Sequence, residues 1–414
     1  MNNEIAQALQ DAYGASRETS QLSLMQGFPP SPDQRVNWHN FMSPPYNQWA
    51  FHNLGRLRPN ITVERGAMPP YPLPAAPFAM DDLSFQSAAG HEVSMREHLV
   101  ATHTDGWLVM KSGQVVQEYY ANGHQPHKRH IMFSVTKSLI GMKAEEMVQR
   151  GQLQEQALAS NYVLELAGSA FGDASVRQLM DMAVAIEYDE VYDDPNSGSS
   201  QFGYACGLTP PPSGIKACPS LYEYLPSTRK RGEHGGFFHY VTATTEALGW
   251  VMERAGKRSC ADLLSDVWRH LGCERDAFFV ADPWGRNVTG CGFNATLRDM
   301  ARYGALLLRH GHHQGQQLIA AEAVAAVLAG GDPAIYAAND SFALWTPAGS
   351  YKSQWYVYPQ QALLAAGIHG QYLYVDYLHE VVIVKQSSMP VAESILDIDT
   401  VRLLRTVAST ASTD

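Results

Sequence analysis

Residues 132–139 read "MFSVTKSL" and place Ser134 and Lys137 three residues apart. On a helix that is about one turn, so both side chains leave the same face. Downstream, Val135, Leu139, Met142, Met147 and Val148 recur at roughly helical spacing, and Gly151 follows as a stop. A helix is therefore predicted from Ser134 to Arg150, with Ser134 at its N-terminus. There the free backbone N–H groups and the helix dipole favour negative charge on the serine oxygen. An apolar helix face would bury Lys137, and desolvation lowers a lysine's affinity for its proton. A neutral lysine can accept the serine proton, which makes the pair a candidate nucleophile and base. The bland alternative is an N-cap serine beside a lysine that snorkels to water.

Two other pairs share the spacing, Ser213/Lys216 and Ser227/Lys230. The first lies in "PPPSGIK", where prolines oppose the helix that would align the two side chains. The second lies in "STRKRGEHGG", a charged stretch that reads as a solvated loop. Both are expected to be decoys.

Upstream of the Ser134 helix, "DGWLVMKSGQVVQEYYANG" (105–123) gives two apolar strands around Lys111-Ser112-Gly113-Gln114, a hairpin signal. "GQYLYVDYLHEVVIVKQSS" (370–388) gives two more, followed by a helix at 391–408. Between them lie helices at 242–254 and 296–311; the latter opens on Thr296 with Asp299 three residues on, a capping-box-like start. Residues 189–236 are rich in Gly, Ser and Pro and read as long loops. With strands at both ends and helices between, the ends must supply one antiparallel sheet. Sheet is expected from about 93–133 and 345–414, with a helical and loop lobe at 134–344. Residues 1–92 carry proline clusters at 29–30, 44–45, 69–70 and 72–74 beside Trp38, Phe41, Tyr46, Trp49 and Phe51. They are expected to wrap the body as irregular, packed-down chain.

With 414 residues, 45% of them hydrophobic, the chain can bury a large core. A net charge of −11 argues against general affinity for nucleic acid or acidic membranes. Five cysteines without tight pairing or metal spacing suggest a reduced compartment. No signal peptide or 18-residue apolar run is visible, so a cytoplasmic location with no membrane partner is the expectation. "NVT" (287–289) fits a glycosylation acceptor but has no secretory context. No "GxSxG" or "HExxH" occurs. His310, His312 and His313 in "RHGHHQGQ" read as a solvated loop rather than metal ligands, and Asp193–Asp194 beside Pro195 as loop caps.

"FFHYVTATTEALGW" (237–250) and "AAGIHGQYLYVD" (365–376) follow "SVTK" in order, with "PPYNQWAFHNLG", "MDMAVAIEYDEVYDDP", "TLRDMARYG" and "YKSQWY" in support. Together they resemble the serine β-lactamase and penicillin-binding protein superfamily. Within it they are most similar to 6-aminohexanoate-dimer hydrolases and class C-like esterases. The resemblance implies an α/β (α+β) transpeptidase-like fold, an antiparallel sheet flanked by helices with an inserted, mostly helical lobe.

It implies Ser134 as nucleophile, Lys137 as its activating partner and Tyr240 as proton shuttle. The backbone N–H groups of Ser134 and Ile368 would form the oxyanion hole. His369 matches a "GIHG" pattern and is expected to bind substrate, with a structural hydrogen-bonding role as the alternative; Tyr192 matches a tyrosine that lies over the substrate amide. Expected function is hydrolysis of a carboxylic ester or linear non-peptidic amide through a Ser134 acyl-enzyme. A broad carboxylesterase and a slow-turnover covalent sensor are the alternatives. The partner is a small-molecule ester or amide; no metal or organic cofactor is implied, and a homodimer stays open.

Departures matter too. Ala365-Ala366-Gly367 stands where many members carry Lys-Thr-Gly, and Thr242 replaces a frequent Asn. Both count against efficient β-lactamase activity. The loop between Asp194 and Cys218 has no carboxylate to hold a substrate amine.

Overall fold

In the computed structural model, which describes residues 3–15, 23–78 and 82–411, the two ends of the chain meet in one seven-stranded antiparallel sheet. Its spatial order is Ser350–Lys352, Trp355–Tyr358, Ala362–Gly367, Gln371–Asp376, Val381–Ser387, Thr104–Lys111, Gln114–Tyr120. The late strand Val381–Ser387 pairs with the early strand Thr104–Lys111, with Lys385 opposite Trp107. That is the closure which strands at both chain ends demanded. Alternation along the strands divides the core. Leu108, Met110, Val382 and Val384 face the central helices, while Trp107, Val109, Val381 and Ile383 face the C-terminal helix Leu396–Thr410. Both faces are covered, which is why these strands read as unbroken apolar runs.

The helix predicted after Ser134 spans Val135–Gln149, and every residue from Val135 to Met147 is buried. A single apolar face was expected; the helix instead runs through the interior. Its charges are paired there: Lys143 with Glu146 at 2.9 Å, and Glu145 with Arg177 at 3.0 Å. The other predicted helices appear at Thr242–Gly256 and Leu297–Leu308. Thr296 caps the latter by accepting from the Asp299 N–H at 3.1 Å.

Residues 1–92 contribute more than wrapping. Phe41, Phe51, Leu54 and Val63 are buried in the main core, and the strand Asn60–Val63 pairs with Ala277–Val280. Phe293–Ala295 and His130–Ile131 complete this four-stranded second sheet. Strands of two to four residues are too short to display a period in sequence, so this sheet was not foreseen. The loops at 189–236 carry two short helices, Gly198–Ala205 and Leu221–Tyr224. The five cysteines are free thiols. Among the described residues, no helix is long and apolar enough to cross a membrane.

Behind the Ser134 turn lies a cluster of buried histidines. His52 and His124 stack at 5.4 Å, and His130 Nε2 meets Asp105 Oδ2 at 3.1 Å. Burial, reinforced by repulsion from His130, pushes the His124 imidazole down to about 3. Above the ordinary histidine value His124 is neutral in both folded and unfolded chains. As pH falls below that value, only the unfolded chain takes up the proton, so stability is lost with acid. From pH 7 to pH 5 this one group removes about 2 kcal/mol. Urea unfolding of the wild type should show that extra loss relative to His124→Gln. Parallel losses in the two proteins would mean that His124 does not carry the effect.

Candidate active site

Ser134 sits where two distant segments hold the chain. The Ile131 N–H donates to Phe51 O at 2.9 Å, the Met132 N–H donates to Phe293 O at 2.8 Å, and the Phe293 N–H donates to Thr136 Oγ1 at 3.0 Å. Phe133 is thereby kept in the left-handed region, with φ of +41°. Such a conformation costs about 1–3 kcal/mol and persists only where the surroundings over-determine it. Phe51, from the N-terminal segment, packs edge-on against Phe133 at 5.0 Å.

Ser134 occupies the N-cap position, yet its side chain makes no capping hydrogen bond. Its Oγ instead lies 2.8 Å from Lys137 Nζ, and the same amine donates to the Gly290 carbonyl at 2.8 Å. Lys137 is 1% exposed and does not snorkel. Tyr240, two residues before Thr242–Gly256, lays its ring centroid 5.0 Å from Lys137 Nζ. With Ser134 it lines one cavity. Burial raises its pKa, while Lys137 and Ser134 pull it part of the way back.

The strand Ala362–Gly367 passes directly over Ser134. A Cβ on Gly367 would lie 2.8 Å from Ser134 N and 2.7 Å from Met132 O, so only glycine allows this approach. The next residue, Ile368, lines the same cavity as Ser134 and Tyr240. Among the described residues, neither the Ser134 N–H nor the Ile368 N–H has a protein acceptor. A hydroxyl beside a buried amine, with a tyrosine and two open N–H donors, is equipped for acyl transfer.

The decoy pairs stay apart from this chemistry. Ser213 and Lys216 are exposed, Ser227 Oγ donates to Tyr224 O, and Lys230 pairs with Asp173. Asp194 Oδ1 accepts the Asn196 N–H at 2.8 Å, a loop cap as expected. His310 rests against Tyr377 and His313 against Tyr71, and the described residues contain no group of three ligands suited to a metal.

Tyr192 lines the cavity and donates to Glu190 Oε1 at 3.0 Å. His369, matched in sequence to a substrate position, does not line it. Its ring is 4% exposed, packs on Phe51 and Phe133, and meets Met389 O through Nδ1 at 2.6 Å. Its backbone is left-handed, with φ of +60°, and its N–H donates to Ala392 O at 2.8 Å. The positive φ turns the side chain back into the core while Ile368 faces the cavity.

Several lining residues were not singled out in the sequence. The cavity, of about 560 Å³, has an aromatic wall of Phe342, Trp345, Tyr356 and Tyr372 and three carboxylates, Glu190, Glu393 and Asp397. Glu190 also binds Thr242 through its hydroxyl and its N–H. It lies within the quoted "DEVYDDP", two residues before Tyr192, and that proximity was the available signal. Glu393 arrives from the turn before the C-terminal helix and Asp397 from its first turn, and no local pattern announces them. Burial raises the Asp397 carboxyl's pKa, while its hydrogen bonds from Tyr372 and Ser394 oppose that shift. Lys385 does not replace the missing third-motif cation. It is fully buried and donates to Gly370 O and Ser387 Oγ.

Comparison with known proteins supplies the family and the fold. The family description "Beta-lactamase" matches residues 95–403. A 6-aminohexanoate-dimer hydrolase from Paenarthrobacter ureafaciens is 35% identical over 350 residues, 84% of this chain and 86% of that protein. A solved Bacillus anthracis protein, provisionally assigned as a 6-aminohexanoate-dimer hydrolase, superposes with a TM-score of 0.83 at 27% identity. It covers 93% of this chain and 98% of its own. A family VIII carboxylesterase shares the fold alone, with a TM-score of 0.54 at 14% identity over 76% of this chain and 96% of its own.

Proposed function

The chain belongs to the β-lactamase family of hydrolases, and from that premise we propose that it cleaves linear amides of the 6-aminohexanoate type, and carboxylic esters, through a Ser134 acyl-enzyme. The observation that carries this reading is the 2.8 Å contact between Lys137 Nζ and Ser134 Oγ beneath two open N–H donors. The proton of Ser134 passes to the Lys137–Tyr240 pair as Oγ attacks the substrate carbonyl. Lys137 and Tyr240 both stand beside Ser134, so the base is assigned to the pair. Negative charge develops on the carbonyl oxygen, where the Ser134 and Ile368 N–H groups stabilise it. Tyr240 returns the proton to the departing amine or alcohol. Water then attacks the ester of Ser134 and releases the acid.

The walls of the cavity support the substrate class. With Ala365-Ala366-Gly367 in the third motif, nothing there pairs with the carboxylate of a β-lactam. The loop between Asp194 and Cys218 offers no acid to hold a substrate amine. Glu190, Glu393 and Asp397 bring carboxyl groups to the cavity from other segments. They favour a substrate end that is cationic or neutral over one that is anionic.

Steady-state hydrolysis of a short-chain nitrophenyl ester and of the linear 6-aminohexanoate dimer tests the proposal, with wild type and Tyr192→Phe. Both substrates should turn over. Tyr192→Phe should lower amide turnover about 10- to 100-fold while leaving ester turnover within about twofold, as for a group that helps an amine leave. Equal losses would make Tyr192 a packing residue. Ester cleavage alone would favour the broad carboxylesterase, and a burst without turnover would favour the covalent sensor.

A further inference from the structure

Lys137 donates to the Gly290 carbonyl, and the loop that presents this carbonyl is held by a carboxylate the reaction does not touch. Glu246 lies on the helix Thr242–Gly256 and is 0% exposed. Its Oε1 accepts the Gly290 N–H at 2.7 Å, and its Oε2 accepts the Thr289 N–H at 3.1 Å and the Thr289 hydroxyl at 2.7 Å. Arg286 Nη1 balances the charge at 3.5 Å from Oε2, while Nη2 donates to the Glu246 backbone carbonyl. Gly290 is pressed onto the same helix. A Cβ there would lie 2.7 Å from Thr242 Cγ2 and 3.2 Å from Glu246 Oε1. A fully buried carboxylate is costly unless its lone pairs are filled, and this one spends them on two successive peptide N–H groups.

We propose that Glu246 is a positioning residue: by clamping the Thr289 and Gly290 N–H groups it aims the Gly290 carbonyl at Lys137 Nζ, and so directs the amine at Ser134 Oγ. A neutral lysine has two N–H bonds and one lone pair. When the Gly290 carbonyl takes one N–H, rotation about the last carbon–nitrogen bond stops and the lone pair can be held on the serine proton. Without the clamp the amine turns freely and the pair is aligned only part of the time. Misplacement by even 1 Å can cost on the order of 100-fold in rate. The proposal rests on the Ser134–Lys137 reading above.

A double-mutant cycle tests it, with single-turnover acylation by a nitrophenyl ester as the readout. Glu246→Gln preserves volume but turns an amide N–H₂ toward the Thr289 donors. It should slow acylation about 10- to 100-fold with KM within about twofold, as for loss of alignment rather than of binding. In a Lys137→Met background, the same substitution should change the residual rate by less than about twofold, because there is no amine left to aim. An unchanged rate in the single variant overturns the proposal. So does an equal loss in both backgrounds, which would make Glu246 a structural ion pair. If Glu246→Gln does not fold, Thr289→Val removes one of the three donors and enters the same cycle. Its expected loss is about 3- to 10-fold. Ser134→Ala and Lys137→Met run alongside. Full activity in either would sink the underlying reading, whereas a rate collapse in both beside a normal Glu246→Gln enzyme would sink this inference alone.

Discussion

Ser134→Ala should lower turnover of ester and amide alike by about five powers of ten and end covalent labelling by a serine-directed phosphonate. The size follows from what is lost. Without Oγ no acyl-enzyme forms, and what remains is the contribution of the oxyanion donors and of substrate binding. The fold should be untouched, because the Ser134 side chain caps nothing and Lys137 keeps the Gly290 carbonyl as an acceptor. A thermal melt within a degree or two of wild type would separate the chemical loss from unfolding. Ser341 and Ser394 also line the cavity, so a rival nucleophile has a definite address. Neither is hydrogen-bonded to a lysine among the described residues, whereas Ser134 is. Persistent labelling of the Ser134→Ala protein would move the chemistry to one of them.

Tyr240→Phe should cost amide hydrolysis about two to four powers of ten, the range of a general acid–base group. The ring stays where it is, packed among Phe342, Tyr351 and Tyr356, so only the hydroxyl changes. Substrate choice then reports which step the hydroxyl serves. An amine leaves poorly unless protonated, while nitrophenolate leaves without a proton. If Tyr240 only returns the proton, the nitrophenyl ester is nearly spared and the 6-aminohexanoate dimer is not. If it also helps to deprotonate Ser134, both substrates slow together. A near-normal rate on the amide would dismiss either role.

Much of this architecture was legible because it is local. The helix after Ser134, the hairpin at Lys111–Gln114 and the strands at 371–387 follow from periodicity and turn chemistry within a few residues. The same local logic set aside Ser213 and Ser227, since prolines and a charged loop cannot align a serine with a lysine. Order along the chain added Tyr240 and Ile368, which the fold brings to one cavity with Ser134.

What the sequence could not express is where a side chain points once the backbone bends, and what distant atoms fill the space around it. His369 belongs to a recognisable stretch, but a left-handed residue in a tight turn sends its ring into the core. The 195–217 loop carries no carboxylate, yet Glu393 and Asp397 reach the cavity from the far end of the chain. The helix carrying Lys137 reads as one-sided but is buried all round, because later segments close over it. The Gly290 carbonyl that receives Lys137, and Glu246 that holds it, lie more than a hundred residues away in sequence. Residue types at helical or strand spacing specify the sheet, the central helix and the serine–lysine pair. The orientation of that pair and the carboxyls of its cavity are set by the folded chain as a whole. Those depend on hydrogen bonds and burial supplied by parts of the chain that share no local pattern with the residues they serve.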